Sequence, residues 1–301
     1  MGLNLPLLPL SHHELVNIGI KLAVGMLLIG LMRWIYGLWT KMDSKHELAS
    51  NDNFALGISI AGSILSLSIL ISGVVAMTNL NEYGDLVIRL LAYGTIGMLL
   101  IMLGRIAHDR LILDELNKNQ QILAHNSSVA LVDAASSVAT AIIVRSVLIW
   151  VDGFNLDAII AVFSGFVVAM TMLLTTTRLI ERHFARHNQN ASMQSILCQG
   201  QIALAIQHSG HIIGMALAVT ATTHIVEYTP HAYVSNMLSW LMVALILTLT
   251  NVLLTFAAKR IVLQDIDLVR EVDHQHNIGI ASIEMVLSLG IGLLLLGAVS
   301  F

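Results

Sequence analysis

Charge is scarce in this chain. Only 11% of its 301 residues are Asp, Glu, Lys or Arg, against roughly 25% in an ordinary soluble domain, and 56% are hydrophobic. With a mean hydropathy of +0.80, this excludes a water-soluble globular fold and leaves a polytopic protein whose first partner is the lipid bilayer. Cysteine is nearly absent, and Cys198 alone excludes an internal disulfide framework or a thiol pair for redox or zinc chemistry. Proline is almost as rare: Pro6, Pro9 and Pro230 all fall outside the long apolar runs, as helix interiors require. A net charge of −4, thinly spread, offers no basic surface for nucleic acid. There is no Walker loop, dinucleotide fingerprint or Gly-x-Ser-x-Gly elbow. Neither a nucleotide-driven pump nor an enzyme is therefore expected, and no cofactor or metal.

What the chain does have is apolar length. Runs able to cross about 30 Å of hydrocarbon, which takes roughly 20 residues, predict helices over 15–38, 54–77, 86–106, 128–150, 156–179, 197–225, 233–258 and 278–300. The fold class is an all-α membrane bundle of eight transmembrane helices. Basic residues flank alternate connections: Arg33, Lys41 and Lys45 the first, Arg105, Arg110 and Lys118 the third, Arg178, Arg182 and Arg186 the fifth, Lys259, Arg260 and Arg270 the seventh. The positive-inside rule makes these connections cytoplasmic, with both termini on the periplasmic side of a bacterial inner membrane. Residues 1–11 hold no Lys or Arg and no clear cleavage site, so the first span is expected to serve as its own anchor. Tyr83, Trp150, Tyr228 and Tyr233 fit an outer aromatic belt, and Trp34, Tyr36 and Trp39 an inner one. Lys21, Arg89 and Arg145 fall in the outer thirds of spans, where they either snorkel to headgroups or pair with Glu14, Asp85 or Asp152.

The chain also repeats itself. Residues 54–62 recur as 202–210, 110–116 as 260–266 and 126–133 as 277–284, dividing it into two four-span units, 1–152 and 153–301. An even number of spans per unit makes the repeats parallel, related by an axis along the membrane normal. The first unit carries Asn53, Ala55, Leu56 and Gly62 in its second span and His125, Asn126, Ala130 and Asp133 at the start of its fourth. The second keeps Ala203, Leu204, Gly210, His276, Asn277, Ala281 and Glu284, with Gln201 in place of the first asparagine. In order and doubling, these motifs resemble the bacterial YjfL-like membrane proteins, known as domain of unknown function 350. The resemblance covers nearly the whole chain; it implies a small inner-membrane helical unit and no established activity.

Two stripes carry the candidate chemistry. Asn126, Ala130, Asp133 and Ser137 stand at i, i+4, i+7 and i+11, and Asn277, Ala281, Glu284 and Ser288 repeat that spacing. Four such positions share one helix face, and the carboxyl group lies about 10 Å in from the first turn. The second and sixth spans bring Ser59 and Ser63, or Gln207 and His211, to one face, among small residues suited to close helix packing. Counting rise from Asn53 and Gln201 puts Ser59 and Gln207 near the depth of the acids, so each acid is expected to face its partner. Asp133 and Glu284 are either hydrogen-bonded fasteners or charge-changing stations for protons or small cations, and intramembrane acids favour the second reading. Asn126 and Asn277 are expected caps. His125 and His276 stand at the cytoplasmic mouth, either exchanging protons or as plain interfacial residues. His208 and His211 occur in the second copy only, as a metal-ligating pair, as a relay to Glu284 or as core histidines; no third ligand accompanies them. His183 and His187 lack the order of a zinc protease and read as a solvated helix end.

The leading functional expectation is a secondary transporter or channel-like conductor of protons or small cations, completed by the repeat interface or by a homo-oligomer. The alternative is a scaffold supporting the envelope. Residues 105–121 and 259–272 are expected to extend spans three and seven as amphipathic stalks, which either dock a cytoplasmic protein partner, as that reading requires, or simply pack on each other.

Overall fold

The computed structural model describes residues 11–40, 44–77, 82–151 and 155–300. Pro6, Pro9, Lys41 and Asp152 lie outside the described residues, as do residues 1–10 as a whole and the side chains of Arg33, Tyr36 and Trp39.

The first repeat contains α1 (His12–Thr40), α2 (Ser44–Ala49), α3 (Phe54–Met77), α4 (Tyr83–Leu111), α5 (Lys118–Leu123) and α6 (Ser127–Trp150). The second contains α7 (Leu156–His187), α8 (Met193–Cys198), α9 (Ile202–Thr220), α10 (Tyr233–Val262) and α11 (Ile278–Ala298). A 3₁₀ turn at Ala221–His224 follows α9, and a π-helical turn at Val269–His274 stands where α5 stands in the first repeat. Eight of the helices are long and apolar enough to cross a membrane, four in each repeat. The repeats run parallel.

Local chemistry sets the helix starts. The side-chain oxygen of Asn126 accepts from the backbone N–H groups of Ser128 and Val129, that of Asn155 from Ala158, and that of Asn277 from Ile280, satisfying donors the first turn leaves free. The amide at the foot of the second span acts in both copies. Asn53 donates to the Ile122 carbonyl, and Gln201, one methylene longer, reaches the carbonyls of Val272 and Asp273. The Gln-for-Asn difference therefore keeps the clamp between the second span and the segment before the fourth.

The helix α6 lies at the centre, packed against α3, α4, α7 and α9, and α9 packs in turn on α11. Small residues bring these backbones together. A methyl group on Gly62 would meet Ala134 Cβ at 2.4 Å, and one on Gly210 would meet Met285 Cα at 2.5 Å. With no hydrophobic force between helices in lipid, such close contact carries much of the association. Outward, α1, α10 and α11 present Leu22, Met26, Leu253 and Leu294 to the surroundings.

Two expectations are corrected. The sixth span does not begin at 197: residues up to Cys198 belong to the short α8, and Gly200, at φ +83, turns the chain before α9 starts at Ile202. The far end tightens into the 3₁₀ turn Ala221–His224. The stalk expected over 105–121 does not form either. The helix α4 stops at Leu111, Ile112 and Leu113 are buried, Leu116 packs on the core, and α5 folds back against α3 and α6. Here the apolar face covers the end of this chain's own bundle; in the matching segment of the second repeat Leu263 and Val272 are buried, while Ile261, Val262 and Ile266 stay exposed.

Candidate functional site: two buried carboxylates

The Gly62 crossing of α3 and α6 sets Ser59 against Asp133, and the matching Gly210 crossing sets Gln207 against Glu284. Both acids are 1% exposed. Ser59 Oγ donates to Asp133 Oδ2. Gln207 Nε2 donates to Glu284 Oε2 at 2.7 Å. The depth argument from the sequence thus pairs the residues that meet.

The cations were not anticipated. Arg105 of α4 turns inward and places Nη2 3.1 and 3.0 Å from the two oxygens of Asp133, while its Nη1 donates to Ser63 Oγ at 2.8 Å. Lys118, the first residue of α5, brings Nζ to 2.8 Å from Asp133 Oδ1 and 2.5 Å from Asp109 Oδ2. Burial works against charge on this amine, yet Asp133 and Asp109 outweigh it, and the Lys118 pKa stands above the ordinary lysine value. Asp133 is thus enclosed by two cations and a hydroxyl.

In the second repeat Lys259 of α10 supplies the positive charge, 2.5 Å from Glu284 Oε1 and 3.1 Å from His211 Nε2. His211 occupies the position of Ser63, so in both copies that position touches the cation serving the acid. All three cations belong to the basic residues that flank alternate connections, where the sequence marks membrane orientation. The signal available was that Arg105 precedes Asp109 by one helical turn, too near the lipid zone for two exposed charges.

The surroundings differ as well. A cavity of about 860 Å³ reaches Glu284, Lys259, Gln207 and His211 from the end of the bundle where α7 and α10 terminate, and neither Asp133 nor its cations line it. Asp273 lies on its wall; burial raises that carboxyl above the usual aspartate value, against the Asn188 amide that donates to it. His183 and His187, their rings tilted at 48° with centroids 4.3 Å apart, also line it.

The remaining sequence candidates are distributed as follows. Ser137 and Ser288 are buried behind the acids, their hydroxyls without a hydrogen-bond partner among the described residues. His208 is buried, and both its ring nitrogens are likewise unpartnered. Among the described residues no group of three His, Cys, Asp or Glu is placed to hold a metal. Asn126 and Asn277 cap α6 and α11, and Asn126 also donates to the carbonyls of Leu197 and Cys198, tying the repeats together. His125 and His276 are exposed in left-handed turns, at φ 63 and 58, and do not line the cavity. Arg145 donates to Ser72.

Eight spans, a doubled six-element unit and a buried ion-paired acid in each copy define a tandem-repeat integral membrane protein. A family model described as Domain of Unknown Function (DUF350) matches residues 10–148 and again 154–299, and the chain belongs to that family. No curated protein and no solved structure matches it.

Proposed function

We propose that the protein conducts protons or small cations across the membrane, as a secondary transporter or channel, with Glu284 as the charge-changing group and Asp133 as its fixed structural counterpart. The observation carrying this reading is the Glu284–Lys259 pair at the wall of the 860 Å³ cavity. A lone carboxylate deep in a span costs roughly 2.5–3.5 kcal/mol, and the internal ammonium offsets that cost in the resting state. A cation or proton arriving through the cavity competes with Lys259 for Glu284, and His211 Nε2, 3.1 Å away, accepts the displaced ammonium. Gln207 holds the other carboxyl oxygen throughout.

In this reading the end bearing Lys45, Arg110, Arg182, Arg186, Arg260 and Arg270 faces the cytoplasm of a bacterial inner membrane, the termini face the periplasm, and the cavity is an inner vestibule. The scaffold alternative is less favoured because residues 112–121, one of the two segments it needs for docking, pack on this chain's own bundle.

The test is flux in proteoliposomes, read with a lumenal pH dye and with imposed sodium and potassium gradients. Glu284→Gln abolishes the flux, and Lys259→Met alters its ion dependence. Full flux in a correctly folded Glu284→Gln protein would overturn the reading.

A further inference from the structure

The helices α4 and α10 hold matched places in the two repeats, in register from Tyr83 against Tyr233 to Arg110 against Arg260. Their inward faces differ in kind. On α10 that face carries Asn236, Trp240, Thr248, Asn251 and Thr255, all buried, with the buried Ala244 and Leu247 between Trp240 and Thr248, and ends at Lys259. At the positions of Asn236, Trp240, Thr248 and Asn251, α4 has Leu86, Leu90, Met98 and Ile101. At 100° per residue the α10 positions lie within one arc of about 140°, and from Asn236 to Lys259 the helix rises about 34 Å, enough to cross the hydrocarbon.

This polar column is not hydrogen-bonded away. Trp240 Nε1, Thr248 Oγ1, Asn251 Oδ1 and Thr255 Oγ1 are buried with no partner among the described residues, as is Ser288 Oγ on the adjoining α11. Several buried hydroxyls elsewhere are satisfied locally, Ser66, Thr140, Thr176 and Thr177 each donating to the carbonyl one turn back, whereas Ser128, Ser137 and Thr222 are unpartnered among the described residues singly rather than in a column. Unpaired polar groups within a bilayer are costly and are tolerated where they line water. At the far end Asn236 exchanges hydrogen bonds with the backbone of Thr229, beside the exposed His231 and its partner Asp157. At the near end Lys259 meets the cavity.

The geometry points to a hydrated transmembrane route along the inward face of α10, from the Glu284–Lys259 cavity to Asn236, built in the second repeat and closed by Leu and Ile in the first. The route deepens the proposed function and rests on it for the identity of what passes.

Cysteine accessibility tests it without reference to flux. In a Cys198→Ser background, Thr248→Cys, Asn251→Cys and Thr255→Cys are compared with Met98→Cys and Ile101→Cys, using a charged, membrane-impermeant thiosulfonate on protein in liposomes. Only the thiolate reacts and its ionisation needs water, so the α10 cysteines are expected to label at least about tenfold faster than those of α4. Transplanting the first-repeat residues, as Thr248→Met with Asn251→Ile, removes flux while the melting temperature holds or rises. Equally slow labelling on both helices overturns the route, even if the wild-type protein conducts. Unchanged flux in the folded double variant overturns it too. Fast labelling of α10 without any wild-type flux upholds the hydrated route and overturns the conducting function.

Discussion

Asp133 and Glu284 occupy the same place in two copies of one fold, and each is neutralised from a different direction. In the first copy Arg105 reaches the acid from within α4 and Lys118 from α5. In the second Thr255 stands where Arg105 does, and Lys259 stands where Asp109 does, so a single cation arrives one turn nearer the end of the helix. The first arrangement is enclosed and doubly paired; the second is singly paired and meets a cavity. The two copies share a glycine crossing, Gly62 against Ala134 and Gly210 against Met285, and differences in the flanking helices enclose one acid between two cations and leave the other with one cation beside a cavity.

Stability measurements break this comparison most directly. Asp133→Asn leaves Arg105 and Lys118 buried without their anion, and a loss of about 3–5 kcal/mol is expected in denaturant unfolding of the detergent-solubilised protein. Glu284→Gln is expected to cost under about 2 kcal/mol, because the Lys259 ammonium can turn to cavity water. Equal losses would show that the two acids play one role.

What the copies share is sharpened by Asn53→Ala and Gln201→Ala. Each removes an amide that clamps buried carbonyls before the fourth span, so each is expected to cost about 1–3 kcal/mol, and by similar amounts. An inert Gln201→Ala would mean that the longer side chain no longer holds the second repeat.

The smallest effect is an alkaline one, peculiar to the first copy. The Lys118 pKa is raised in the folded state, so its contribution is fully present below the ordinary lysine value of 10.5 and is lost as pH climbs through the folded value. Melting temperature followed upward from about pH 9 should show a shallow late decline that Lys118→Met flattens. A decline equally steep in Lys118→Met would place its cause elsewhere.

Much of this was legible beforehand because it is local. Hydropathy placed the spans, and the 3.6-residue period put Asp133 and Ser137, or Glu284 and Ser288, on one face. Counting rise matched Ser59 to Asp133 and Gln207 to Glu284 by depth alone. The positions of Arg105, Lys118 and Lys259 were less legible: at a helix end a basic residue serves equally as a solvated flank or as an inward counter-charge. Residues 112–121 misled for a related reason, since an amphipathic pattern states that one side is covered without stating by what.

From its order of residues alone, the chain determined a membrane bundle, a doubling, and the depth and face of each acid, because rise per residue and side-chain polarity act within a single helix. Which charges meet those acids, and that a cavity reaches Glu284 and not Asp133, was decided only by tertiary packing. A helix's rotation against its neighbours and the fold-back of its end depend on residues far away in the chain, here glycines that let α3 and α9 approach α6 and α11 closely enough to bring the partners into reach.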